Sequence, residues 1–179
     1  MATDSPGGSG RADRCRYVRS GESTQASGRS GRLMRWLPAA LWGAMLVLIF
    51  YFSSQAGSPE NSAGWIRAFL AKFAPALAER ITEEQLHLLN YLFRKTGHGT
   101  GYFLLTLLGY WAFRASFGME HARALRWAAA TSLMRAIVDE IHQAFVPGRT
   151  GTPVDVMIDA VGMTLAMWLI RRRSPGKPP

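Results

Sequence analysis

Asp139, Glu140, His142, Gln143 and Arg149 bring carboxylates, an imidazole, an amide and a guanidinium into one short stretch. An imidazole beside a carboxylate can take and return a proton near neutral pH. A guanidinium or ammonium group can hold a phosphate. Asp139 and His142, with His98 and Asp159 from elsewhere in the chain, are therefore the candidates for acid–base chemistry. Ser54, Gln55, Lys95, Tyr102, Gln143 and Arg149 are the candidates for holding a substrate. Ser53 or Ser54 could attack as a nucleophile, but no activating motif accompanies them. Carboxylates and imidazoles also ligate divalent ions, which raises Asp139, Glu140, His142 and His98 as ligands. Adjacent Asp139 and Glu140 project about 100° apart on a helix, and no HExxH pair fixes two ligands on one face. The expectation is no metal and no cofactor.

These groups must be positioned by apolar elements. The chain has 179 residues, 48% of them hydrophobic. Its mean hydropathy is near zero only because polar ends dilute an apolar middle. The net charge of +9 would suit nucleic acid, but the basic residues cluster at the termini and beside apolar runs. That is the pattern of a membrane protein held by its cytoplasmic loops, so no nucleic acid partner is expected. The single cysteine, Cys15, excludes a disulfide framework.

Residues 1–33 are rich in Gly, Ser and Arg and cannot bury enough surface to offset ordering entropy, so a disordered basic tail is expected. Met34, which follows, is an alternative start for the whole chain. Residues 36–52 carry no charge and cover roughly 25 Å as a helix, close to the hydrocarbon thickness. A signal peptide is the competing reading, but the apolar run is long and further spans follow. Between Ala63 and Phe73, Trp65, Ile66, Phe69, Leu70 and Phe73 fall at helical spacing, which predicts an interfacial amphipathic helix ended by Pro75. Thr82-Glu83-Glu84-Gln85 reads as a capping box. Second, third and fourth spans are predicted near 97–113, 127–145 and 154–170, with a short tail at 174–179. Thr152-Pro153-Val154-Asp155 reads as a helix start, with Thr152 as cap and Asp155 at the positive end of the dipole.

The fold class is thus all-α: a four-helix transmembrane bundle, with the interfacial helix between spans one and two. Most of the 21 Lys and Arg residues lie in the N-terminal tail, the loop after span two and the C-terminus, which puts both termini in the cytoplasm. Trp36, Trp111, Trp127 and Trp168 fall at the same helix ends. The other ends carry Ser54 and Gln55, Lys95 and His98, Asp139 to Gln143, and Asp155 with Asp159. Arg135, Asp139, His142 and Gln143 form one helical stripe, and His98 shares a face with Tyr102. Ionisable groups at membrane depth face the bundle interior and are functional candidates by default. A purely structural network would pair Asp139 with Arg135, His98 with a carboxylate, and Gln143 with loop backbone. Gly162 and Ala166 would let another helix approach closely.

At four stretches the chain resembles the VanZ-like family of small bacterial membrane proteins. These are Phe52-Ser53-Ser54-Gln55; Arg94-Lys95 with His98 and Tyr102; Asp139-Glu140 with Gln143 and Pro147-Gly148-Arg149; and Asp155, Asp159 and Gly162. Relatives often carry an acidic residue just before that tyrosine, where this chain has Gly101, and Arg135 is an unusual charge for its place. The resemblance implies a bacterial cytoplasmic-membrane protein acting at the outer leaflet on or with a cell-envelope component. The partner would be a membrane lipid or lipid-linked envelope precursor. The family's named member is associated with resistance to the glycopeptide teicoplanin. Three alternatives stay open: an enzyme acting on a lipid-linked substrate through the Asp/His cluster, a small transporter made roomier by homo-oligomerisation, and a purely structural polar network.

Overall fold

The computed structural model describes Met1, residues 34–54 and residues 57–173. The expectations for the basic tail, for Gln55 and for residues 174–179 fall outside the described residues. The rest is helical: α1 (Met34–Ser53), α2 (Pro59–Phe73), α3 (Pro75–Ala78), α4 (Glu83–Trp111), α5 (His121–Ala144) and α6 (Pro153–Arg173).

Local chemistry sets most boundaries. Ser58 caps α2 by accepting from the Asn61 amide at 3.3 Å, and Pro59 takes the first position. Pro75 ends α2 and opens α3. At the start of α4 the Gln85 amide donates to Thr82 Oγ1 at 3.2 Å, and the Thr82 amide to Gln85 Oε1 at 3.1 Å. This is the capping box read from the sequence. The Asp155 amide donates to Thr152 Oγ1 at 3.3 Å, so the predicted cap of α6 is present too.

One boundary differs. The sequence suggests a helix opened by the Thr82 capping box and then a separate span from residue 97, but α4 runs unbroken through Arg94–His98. Gly97, Gly99 and Gly101 each weaken a helix by roughly 1 kcal/mol, yet no proline blocks the ladder. Packing against α6 outweighs the propensity: among α2 to α6, α4 and α6 form the most extensive pair. At about 1.5 Å per residue α4 is roughly 43 Å long, longer than a hydrocarbon core. It ends in a π-helical turn, Ala112–Ser116.

That turn locks α1 in place. Ser116 Oγ donates to the Arg35 carbonyl at 2.8 Å, and Arg35 Nε returns a bond to the Ser116 carbonyl at 3.2 Å. Tyr102, Leu105, Ala136 and Met163 form the centre of the core, with Trp42 and Ile49 of α1 against it. A buried Thr106–Ser132 hydroxyl bond of 3.1 Å ties α4 to α5. A Cβ on Gly162 would lie 2.1 Å from the Gly99 carbonyl oxygen, so α6 rides on the backbone of α4 as the small residue predicts. Ser62 of α2 donates to Asn90 Oδ1 at 2.7 Å, and Asn90 Nδ2 donates to the Pro59 carbonyl at 2.8 Å. Trp65, Phe69 and Phe73 of α2 stay exposed, the apolar face expected of an interfacial helix.

Among the described residues two helices, α1 and α6, are long and apolar enough to cross a membrane. By that measure α4 and α5 fall short of the four spans expected, because each carries ionisable side chains along its length.

Candidate functional site

One end of the bundle gathers the polar residues of α1, α4, α5 and α6. The turn after α5 sets it up. Pro147 and Gly148 form a tight turn closed by the Arg149 amide donating to the Val146 carbonyl at 3.1 Å, and Gly148 takes a φ of 75°. Only that left-handed residue lets the chain fold back at once. The turn drives the Arg149 side chain inward. Its Nη1 donates to the Phe52 carbonyl at 2.7 Å and the Ser54 carbonyl at 3.2 Å, and its Nη2 to Gln143 Oε1 at 2.8 Å. Arg149 thus serves the Phe52 carbonyl at the end of α1 and the Ser54 carbonyl just beyond it, which also accepts from the Gly57 amide at 3.1 Å. Gln143 Nε2 passes the chain on to Asp139 Oδ2 at 3.1 Å. Arg135 Nη2 sits 2.8 Å from Asp139 Oδ1, an ion pair one turn apart. Gln143 therefore joins two side chains rather than loop backbone.

A second row lies between α4 and α6. Lys95 pairs with Asp155, which also accepts from Thr152 Oγ1 at 3.1 Å. His98 Nδ1 lies 3.3 Å from Asp159 Oδ1, without the alignment of a hydrogen bond. Glu140 belongs to this row. Its Oε2 accepts from the Thr152 amide at 2.7 Å, and its carboxylate lies within 4.8 Å of the ligand atoms of His98 and Asp159. The stripe of Arg135, Asp139, His142 and Gln143 expected from the sequence leaves Glu140 out. Helix α5 has neighbours on two sides, so Asp139 and Glu140, about 100° apart, are both buried. Gly151 permits this, since a Cβ there would lie 2.0 Å from the Glu140 carbonyl oxygen.

Between the two rows and α2 is a cavity of about 460 Å³. Met45, Ile49, Phe52, Trp65, Phe93 and Leu104 give it apolar walls. Its polar lining includes His98, Tyr102, Asp139, Gln143 and Arg149, all expected, together with Ser53 and Arg94. Ser53 is buried there, whereas the Ser54 hydroxyl turns back to the Tyr51 carbonyl at 2.6 Å. His142 lies outside the lining, its ring 5.1 Å from that of Phe50. Lys95 is held by Asp155 and also lies outside it. Asp159 is fully buried behind His98. Gly101 faces the cavity, and a Cβ there would find only Met45 Cε, at 4.0 Å.

Arg94 is the residue that sequence reasoning passed over. It makes no hydrogen bond or ion pair among the described residues, and its charge is felt by Glu60 and by Arg149. Burial, and then the nearby Arg94, push the Arg149 guanidinium below its ordinary pKa; an arginine nevertheless stays charged. Two cations therefore line one apolar cavity. The signal lay in the i, i+4 spacing of Arg94 and His98, which puts both on one face of α4.

The chain matches the VanZ/LLP1 family over residues 39–173, and it belongs to that family. No curated protein and no solved structure matches it. Family membership and the two apolar helices make it a membrane protein.

Proposed function

We propose that this VanZ-like protein crosses the bacterial cytoplasmic membrane four times, through α1, α4, α5 and α6, with both termini in the cytoplasm. Its cavity faces the outer leaflet and binds an anionic envelope amphiphile, a lipid or a lipid-linked precursor. The observation that carries the reading is the inside-out construction of α5. Leu133, Met134, Ile137, Val138 and Ile141 point outward, while Ser132, Asp139, Glu140 and Gln143 are buried. A helix in water would be arranged the other way round. Its ionisable groups lower its average hydropathy, but none of the three acidic or amide groups faces the surroundings.

The cavity supplies the rest. Apolar walls suit an acyl or prenyl chain, and Arg94 with Arg149 suits a phosphate. An anion between the two guanidinium groups would relieve their mutual repulsion. The link of the family's named member to teicoplanin resistance points to envelope precursors as the natural ligands. A second reading, proton transfer on the bound head group, draws on His98 alone. It lines the cavity and also touches Asp159.

Lipid retention tests the binding. Native mass spectrometry of the purified chain should show a co-purifying anionic lipid. Arg94→Gln should weaken retention about 10-fold, the loss of one charge-assisted contact of roughly 1.5 kcal/mol. Gly101→Phe should fill the cavity and abolish retention in a protein that still folds. Equal retention by all three would contradict the pocket.

A further inference from the structure

We propose that His98, Glu140 and Asp159 bind one divalent cation of the zinc or manganese kind inside the bundle. Their ligand atoms all lie within 4.8 Å of one another, on three different helices. Charge makes the case first. Four carboxylates are buried at this end of the bundle: Asp139, Glu140, Asp155 and Asp159. Arg135 is spent on Asp139 and Lys95 on Asp155. Arg149 is turned to the α1 carbonyls and Gln143. His98 Nδ1 lies 3.3 Å from Asp159 Oδ1 and pairs with it as an ion only when protonated, so Glu140 and Asp159 share at most one cationic partner. Uncompensated buried charge is costly, and buried charges are normally paired or ligate a metal. A single divalent ion balances the two carboxylates.

Unused lone pairs make the second case. Among the described residues, both oxygens of Asp159 and Oε1 of Glu140 are buried and have no well-aligned hydrogen-bond donor. Asp159 is fully buried. The Tyr102 hydroxyl, also buried and without a partner among the described residues, feels the charges of Asp139, Asp159 and Glu140. One pair of ligand atoms already has the spacing of a bound ion. Ligand atoms about 2.0–2.2 Å from a tetrahedral ion lie roughly 3.4 Å from one another. His98 Nδ1 and Asp159 Oδ1 are 3.3 Å apart and not aligned as donor and acceptor. An imidazole with two carboxylates favours zinc or manganese over calcium or magnesium, which prefer all-oxygen shells. The proposal stands on the charge balance of the cluster and does not depend on lipid binding.

The full chain, purified on a tag without histidines, should be incubated with Zn²⁺ or Mn²⁺, desalted and assayed by elemental mass spectrometry. About one ion per chain is expected for the wild type and for Asp155→Asn, whose carboxylate serves Lys95 and the α6 cap. His98→Gln, Glu140→Gln and Asp159→Asn should each lose it. EDTA should lower the apparent Tm of the wild type, and re-added ion should restore it. Should the triad variants fail to accumulate, that wild-type response decides alone. A wild type that holds no ion and whose Tm ignores EDTA and both metals overturns the proposal. Equal loss in Asp155→Asn overturns the choice of ligands.

Discussion

Gly162→Ala is expected to abolish accumulation of the folded protein. The added methyl would stand 2.1 Å from the Gly99 carbonyl oxygen and 3.2 Å from the Phe103 amide nitrogen. Both are backbone atoms of the longest helix, and neither can swing aside as a side chain does. Relief requires α6 to move away from α4. That would open the most extensive contact among α2 to α6 and pull Asp155 from Lys95 and Asp159 from His98. Overpacking of this kind costs about 3 kcal/mol or more. Gly97→Ala is the matched control, because a Cβ there meets nothing within 4 Å. It should be neutral, or stabilising by up to about 1 kcal/mol through helix propensity. Detergent-extracted yield and apparent Tm check both. Normal Tm in Gly162→Ala would refute the close approach of the two helices.

Arg149→Ala is expected to produce the next largest loss. It removes the side-chain donor of the Phe52 carbonyl and of Gln143 Oε1, leaves the Ser54 carbonyl only the Gly57 amide, and unlocks α1 from the turn after α5. The expected cost is about 3 kcal/mol, which corresponds to a fall of roughly 6–12 °C in Tm for a chain of this size. Arg149→Lys keeps the charge but not the planar fork that serves two directions at once, so its Tm should fall between the two. A lysine variant equal to wild type would show that charge alone matters at this position.

Much of this was legible in the residues. Thr82-Glu83-Glu84-Gln85 and Thr152-Pro153 cap helices through local hydrogen bonds, which short-range sequence encodes. Arg135–Asp139 and Asp139–Gln143 follow from helical spacing alone. Gly162 announced a close helix contact, though not which backbone it would meet. Glu140 was misjudged because one helix was assigned one interior face, while α5 has neighbours on two sides. The break expected near residue 97 does not occur, since glycines that cost helix propensity are repaid by packing against α6. Arg94 went unnoticed beside Lys95. Which of two adjacent cations faces a cavity depends on the rotation of α4, and its neighbours fix that rotation. The role of Gln55 lies outside the described residues.

The central claim is that four crossings bring the polar end of the bundle to the outer face of the membrane. Single cysteines test it, in a Cys15→Ser background that removes the natural thiol. Thr150→Cys marks the site end, just after Arg149, and Glu120→Cys marks the opposite end, before α5; both positions are exposed. In intact cells Thr150→Cys should react with a membrane-impermeant maleimide, and Glu120→Cys should react only after the cells are opened. Labelling of Glu120→Cys in intact cells, with Thr150→Cys protected, would contradict the account.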